Sequence, residues 1–346
     1  MRIIRIIFIN VVIFIVLLEI VSLILIKFTT LPNGLITGAV LRADEKYSTW
    51  HPKNFKIKLA RRCWESYVQF NSIGLKQTEE IGIKTKKRIA ILGSSMTEML
   101  QLSNEKDLRA KLKKLMPDYE IINFSVASTG LADQIEIYKN LIKQYDIDYL
   151  FLYATENDIE VNYIDKYRPN RITYKYEGGK VVKLEKSHDF FEEYNSKYNR
   201  FKREKLMNLK KISSFYKIYA YVKYDLLQNL NNKQNKKNVD LYKNKKVYEF
   251  ILKHAEKEIF NDVKTLIFLN MHNYEERTER ANIMIELLNK YDFFYDPLED
   301  SIEFMKKRNK YKFPYLGHEC DGHYTELGAE FLASYSYKIF NSNYIK

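Results

Sequence analysis

Ser95 follows Ile89-Ala90-Ile91-Leu92-Gly93-Ser94, an apolar run closed by a glycine and leading into a helix start. A strand, a tight glycine turn and a helix N-terminus set one hydroxyl at a sheet edge among backbone donors, which suits a nucleophile. Gly-Ser-Ser is equally an ordinary loop sequence, so this run does not decide alone. Far downstream, Asp321-Gly322-His323 supplies an acid and a base within one turn. A serine hydrolase needs a nucleophile, a base to take its proton, an acid to orient the base, and donors for the developing oxyanion. Ser95, His323 and Asp321 fit the first three roles. The plainer reading has Asp321 capping a turn and His323 packing against the last helix.

For the oxyanion, Asn157 is the better donor in Thr155-Glu156-Asn157-Asp158, because its neutral amide offers hydrogens without competing for the substrate's charge. Backbone N–H groups at Ser95 and Ser128 complete the set, and Asp158 braces the loop. Without chemistry, Asn157 and Asp158 simply cap a strand-to-helix turn. His318, Cys320 and His323, with Asp321 as a fourth ligand, also suggest zinc, but their loop spacing is not a strong metal signature. No phosphate-cradling glycine loop or nucleotide fingerprint is present, so neither a metal nor a cofactor is expected.

These residues need a frame. The pattern predicts a helix over 98–116 with Leu100, Leu108, Leu112 and Leu115 as its stripe, a strand over 121–126, a helix over 131–145 and a strand over 149–153. Alternating strands and helices imply an α/β fold, a parallel sheet covered by helices. Ligands of such sheets collect beyond the carboxyl ends of the strands, where Ser95, the turn at 128–130 and Asn157 all fall. Residues 159–238 form an insertion or cap: a hairpin over 167–184 around Gly178-Gly179, a charged helix over 190–211, a helix over 213–230 and a polar Lys/Asn loop over 231–238. Regularity returns with a helix over 241–259, a strand over 264–269, a helix over 277–290, a strand over 291–295 and a helix over 325–340 capped by Thr325.

At the other end, Arg2 and Arg5 precede an apolar stretch over 6–26 long enough for a membrane helix. No Ala-x-Ala-like cleavage site follows, so the segment reads as a retained anchor. The leading arginines put the N-terminus inside and the body outside the membrane. Glu19 is costly at membrane depth; a tolerated single polar residue or an interfacial helix is favoured slightly over a dedicated partner helix in a second membrane protein. Residues 1–28 are then the anchor, 29–70 a stem and lead-in, and 71–346 the globular domain.

Of the 346 residues, 57 are Lys or Arg and 44 Asp or Glu, a formal charge of +13 that is dispersed along the chain. No basic motif interleaved with aromatics accompanies it, so a solvated face is expected and not a nucleic-acid partner. Cys63 and Cys320 could form one bridge or remain separate thiols.

The blocks Gly93-Ser94-Ser95-Met96-Thr97, residues 123–130, Thr155-Glu156-Asn157-Asp158 and Asp321-Gly322-His323-Tyr324 with Gly328, preceded by Asn71-Ser72-Ile73-Gly74-Leu75, occur in the order seen in SGNH, or GDSL-like, hydrolases. From about residue 71 to 333 the chain resembles a membrane-anchored member of that superfamily. The resemblance implies a three-layer fold, Ser95, Asp321 and His323 as catalytic residues, and oxyanion donors at Asn157, Ser128 and Ser95. It also implies a short O-acyl ester substrate, such as an acetyl group on an envelope or extracellular glycan. Ser94 stands where the family carries Asp, Ser128 and Thr155 where it carries glycine, and Asp321 lies two residues before the histidine instead of three. Glycan O-acyl transfer, and a glycan-binding or envelope-assembly protein without turnover, are the alternative functions.

Overall fold

The computed structural model describes residues 2–28, 40–44, 46–61, 63–163, 171–184, 213–222, 240–270, 278–307, 316–318 and 322–345. The apolar N-terminal run is one continuous helix, α1 (Arg2–Phe28), with most of its Ile, Val, Leu and Phe side chains bare. Its most apolar stretch has a mean hydropathy of 3.0, and it is long and apolar enough to cross a membrane. Two antiparallel hairpins follow: β1 (Arg42–Asp44) with β2 (Ser48–Trp50), inside the stretch read as a stem, and β3 (Phe55–Arg61) with β4 (Trp64–Phe70).

The alternating part begins with β5 (Lys87–Gly93), α2 (Ser95–Glu98), α3 (Leu108–Leu115), β6 (Tyr119–Asn123), α4 (Leu131–Asn140), β7 (Tyr149–Thr155) and α5 (Asp158–Val161). A hairpin of β8 (Thr173–Glu177) and β9 (Lys180–Leu184) turns at Gly178-Gly179, both at positive φ. Then come α6 (Ser214–Tyr221), α7 (Leu241–Ala255), β10 (Lys264–Asn270), α8 (Glu279–Leu288), β11 (Phe294–Tyr295), α9 (Leu298–Lys307) and α10 (Glu326–Tyr344).

Five of these strands form one parallel sheet in the order β11-β10-β7-β5-β6. β7 is buried along its whole length, and β5 and β10 at every position but the first, as expected of parallel strands covered on both faces. Helices flank it: α3 packs against α10, and α4 against α7. The seams are specific. Tyr153 on β7 and Ser336 on α10 share a buried hydrogen bond of 2.7 Å, and Phe340 meets Tyr149 edge-on at 4.9 Å.

The strand order carries the functional meaning. Counted along the chain, the sheet starts at β5, moves outward to β6, then crosses back to β7 and continues through β10 to β11. The direction therefore reverses between β5 and β7, and the connections leave a crevice at their carboxyl ends.

The predicted helix over 98–116 is two pieces. α2 ends at Glu98, Met99 takes a left-handed conformation (φ 54), and the chain loops before Asp107 caps α3 by accepting from the Ala110 N–H. Tertiary contacts override the helical pattern. Leu100 turns into a cluster with Val40, Ile57, Leu59, Trp64, Val68, Phe70 and Ala127, its carbonyl accepting from Ser66 Oγ at 2.5 Å. Asp107 is held in a buried pair with Lys76 at 2.8 Å. The strand predicted over 121–126 runs from 119 to 123, and the helix over 131–145 closes as a 3-10 turn after Leu141. The sequence reading missed α9 although Leu298, Ile302 and Met305 fall at helical spacing, and it missed the β1–β2 pair, whose strands are three residues each. The segments read as 190–211 and 231–238 lie outside the described residues.

Candidate active site

Ser95 opens α2 directly beyond β5. Gly93 is required there: a Cβ would overlap Thr97 Oγ1 and sit 3.0 Å from the Tyr153 carbonyl oxygen on the neighbouring strand. The next loop is drawn against this turn. Val126 N–H donates to the Gly93 carbonyl at 3.1 Å, and Thr129 Oγ1 donates to the Val126 carbonyl at 2.7 Å. Asn123 Nδ2 donates to the Thr97 carbonyl at 2.9 Å. Ser128 lies at the apex with φ 70, a conformation that favours glycine.

Across the switch point, β7 delivers Asn157. Asp158 braces its turn, accepting from Thr155 N–H at 2.9 Å and from Thr155 Oγ1 at 2.8 Å. Burial, only partly offset by these bonds and Arg171, pushes the Asp158 carboxyl up to about 7. Arg280 on α8 donates to Asn157 Oδ1 at 3.4 Å and pairs with Glu160, while Thr278 donates to Glu156. The guanidinium thus occupies the acceptor side of the Asn157 amide, leaving its N–H₂ as the donor end.

The third approach is from the C-terminal side. Gly317 and Tyr324 form a short antiparallel bridge, His318 N–H donates to the His323 carbonyl at 2.7 Å, and Gly322 takes a positive φ of 73. Gln101 Nε2, just past α2, donates to the Tyr324 carbonyl at 2.9 Å. The Tyr324 hydroxyl reaches Asn270 Oδ1 at 3.4 Å, and Asn270 pairs in register with Thr155 at the carboxyl end of the sheet. His323 therefore belongs to a loop carried to the same edge as Ser95, Ser128 and Asn157. Asp321 lies outside the described residues.

Ser95, Ser128 and Asn157 are each partly open between buried neighbours, and His323 is partly open between Gly322, which is also partly open, and the buried Tyr324. Partly open polar residues on a buried frame can meet a solute; the frame cannot.

Residues that the sequence reading missed hold this frame. His51 Nε2 and Glu98 Oε1 are 2.5 Å apart, both fully enclosed, and the other Glu98 oxygen accepts from the Ala127 N–H at 2.5 Å. His51 Nδ1 meets the Gly74 carbonyl at 3.0 Å, and its ring stacks on Phe70 at 4.6 Å. Since a carbonyl only accepts, Nδ1 carries the proton of that contact, which leaves Nε2 facing the Glu98 carboxyl. This buried bridge ties α2 to the residue before Ser128. Glu98, three residues after Ser95, was visible as a carboxylate directly before Met99-Leu100; His51 is too distant in sequence to announce itself. Among the described residues no group of three or more His, Cys, Asp or Glu gathers to hold a metal.

Cys63 is disulfide-bonded. The only other cysteine, Cys320, lies outside the described residues. Next to Cys63, Trp64 stands 6.4 Å from the His318 ring, which sets the start of β4 against the histidine-bearing loop.

No protein-family model matches the chain, and no curated protein matches it. Among solved structures, it is similar to Axe2, an acetylxylan esterase from Geobacillus stearothermophilus, at 10% identity and a TM-score of 0.41, over 76% of this chain and 98% of that one. It is similar to the acetyl xylan esterase AlAXEase at 12% identity and 0.40, over 72% and 98%. The lipase/acylhydrolase from Enterococcus faecalis matches at 10% and 0.39, over 74% and 96%. Likeness at this level establishes neither a family nor an activity.

Proposed function

We propose that the chain is a serine-dependent ester hydrolase of SGNH-like, three-layer architecture. What supports this reading is that Ser95, Ser128 and Asn157 follow carboxyl ends of strands flanking the point where the strand order reverses, and that the loop bearing His323 is bonded to Gln101 and Asn270 at the same sheet edge. The helix pairs α3–α10 and α4–α7 support the three-layer arrangement.

In the proposed reaction His323 takes the Ser95 hydroxyl proton as Oγ attacks the ester carbonyl, and Asp321 orients the imidazole. The Asn157 amide and the backbone N–H groups of Ser95 and Ser128 bind the oxyanion. Collapse expels the alcohol, which receives the proton from His323, and leaves an acyl-enzyme on Ser95. A water molecule, activated by His323, releases the acid and restores the serine. Short O-acyl esters, acetyl foremost, on an envelope or extracellular glycan are the proposed substrates, with 71–346 as the catalytic domain and 159–238 as its cap. The body is proposed to face the extracytoplasmic side; the disulfide at Cys63 supports that, because such bonds persist in oxidising compartments.

A fluorophosphonate probe followed by peptide mass spectrometry tests the reading. An adduct is expected on Ser95, absent from Ser95→Ala and strongly reduced in His323→Ala. A folded protein that takes no label on Ser95 overturns it.

A further inference from the structure

Glu19, a lone carboxylate in an apolar run, has a built partner within its own chain. Ser213 Oγ donates to Glu19 Oε2 at 3.0 Å, Ser214 N–H donates to Oε1, and Phe215 N–H reaches Oε2 at 3.3 Å. The Ser213 hydroxyl in turn accepts from the Tyr216 N–H at 3.1 Å. The first N–H groups of α6 are thereby satisfied, two of them by a carboxylate from another helix. α1 and α6 pack together, and Leu18, Glu19, Ser22 and Ile26, a stripe at helical spacing, are the covered positions among the described side chains of α1. Ser22, small and 4% exposed, lets the helices approach.

From this clamp α6 reaches in two directions. Tyr216 packs on the cluster that contains Leu100 and Ala127, which border the Ser95 and Ser128 turns. Lys217 lies in electrostatic reach of Lys58 and Glu65 on the β3–β4 hairpin as well as of Glu19. Phe215, Tyr219 and Val222 are 45%, 45% and 39% exposed and follow one another at i, i+4 and i+7, an apolar stripe on the helix that packs against α1.

We infer that α6 is a second membrane contact, an interfacial helix whose Phe215–Tyr219–Val222 face is covered by phospholipid, with Glu19 as its fixed cap. Depth supports lipid as the occupant. At 1.5 Å per residue, about 30 Å of hydrocarbon counted from residue 6 ends near residue 25 or 26, so Glu19 lies roughly 10 Å inside that boundary. Interfacial helices bury their apolar faces to about 5–10 Å. At that depth backbone donors need internal partners and a carboxylate needs compensation; the Glu19–α6 junction answers both at once. Tyrosine beside Phe and Val is also the composition that such a boundary favours. Through Tyr216, the contact holds the frame of the candidate site against the bilayer surface. The inference is independent of the esterase reading.

The test places tryptophan on the stripe of the full chain, Phe215→Trp and Tyr219→Trp separately, in phosphatidylethanolamine–phosphatidylglycerol vesicles brominated near either end of the acyl chains. Trp50 and Trp64 are buried and give the background to subtract. Both probes are expected to lose most of their emission to bromine near the headgroup end and less to bromine near the methyl end. Tyr242→Trp, at a position 61% exposed on α7, is expected to lose none. Solvent-like emission without quenching overturns the proposal, as does blue-shifted emission without quenching, which would mean a protein partner or second copy covers the stripe. Adding Glu19→Ala to Phe215→Trp is expected to abolish the quenching while α1 keeps the chain in the vesicles; retained quenching would overturn Glu19 as the cap.

Discussion

The turn that carries Ser95 and the loop that carries His323 reach the same sheet edge and are held there by opposite means. The serine turn is an extension of the core: a buried strand runs into it, Gly93 is pressed against Tyr153, and the Glu98 carboxylate locks it to His51 and Ala127. The histidine loop comes in from outside the sheet, and its described contacts include a two-residue bridge, hydrogen bonds from Gln101 and to Asn270, and the ring of Trp64. A nucleophile must be fixed relative to its oxyanion donors, and the proposed donors at Ser95 and Ser128 are tied together through Glu98 and Ala127. A base has to change partners during a reaction, and a loop held by side-chain contacts outside the sheet leaves room for that.

If the comparison is right, damage to the serine side costs fold stability, and damage to the histidine side costs function first. The largest effect is expected from Glu98→Ala. It strips a fully enclosed His51 of its partner and orphans the Ala127 N–H, a change worth about 3–5 kcal/mol. Urea unfolding measures it, and a double-mutant cycle with His51→Phe should recover part of the loss, since that partner no longer needs a carboxylate. A loss below about 1 kcal/mol would mean the bridge is not what fixes the turn.

Asp158 tests the Asn157 arm of the same frame. Its carboxyl is raised from 3.8 to about 7 by burial, so between those values the folded chain keeps a proton that the unfolded chain has released. The unfolded state then binds fewer protons and stability declines as pH rises. The contribution is whole below pH 3.8 and is lost through about pH 7, up to about 4 kcal/mol at 1.36 kcal/mol per unit. Asp158→Asn can still accept from Thr155 N–H and donate to Thr155 Oγ1, so it should flatten this slope. Thermal melts across the window decide it; a slope unchanged in the variant assigns the pH dependence elsewhere.

What the sequence made legible follows the same division. Apolar runs at 89–92, 149–153 and 264–269 announced the core strands, and with them the edge where Ser95 and Asn157 sit, because a parallel strand's burial is written in its own residues. The break of the 98–116 helix was not legible, since the cause lies in Ser66, Lys76 and the β3–β4 cluster, remote in sequence. His51 was invisible for the same reason, and Gln101 too: a glutamine in a loop carries no mark of the carbonyl it will hold 223 positions away. Glu19 stood out as an anomaly in an apolar helix, but a cap supplied by Ser213–Phe215 could not be read from either segment alone.

Two glycines set the sides directly against each other. An added Cβ at Gly93 overlaps Thr97 inside the serine turn, and at Gly328 it overlaps the Leu316 carbonyl at the root of the histidine loop. Overpacking of this kind costs about 1–3 kcal/mol. Gly93→Ala should appear mainly as lowered stability, for the strand end has nowhere to shift. Gly328→Ala should keep more of its stability and lose more Ser95 labelling by the fluorophosphonate probe, as the loop lifts with its histidine. Equal losses of both quantities in the two variants would erase the distinction.

The smallest effect is expected at Ser128, and it sharpens the comparison from within the serine side. A non-glycine residue at φ 70 carries about 1 kcal/mol of backbone strain, and glycine would release it while making the unfolded chain freer by about the same amount. Ser128→Gly should therefore leave the melting temperature nearly unchanged. The labelling rate of Ser95 is the informative readout. If the bracing by Glu98, Asn123 and Thr129 holds the turn, glycine gives the same N–H in the same place and the rate is preserved. A large fall in rate would show that the serine itself pins the apex, and that the strain is part of how the oxyanion donor is aimed.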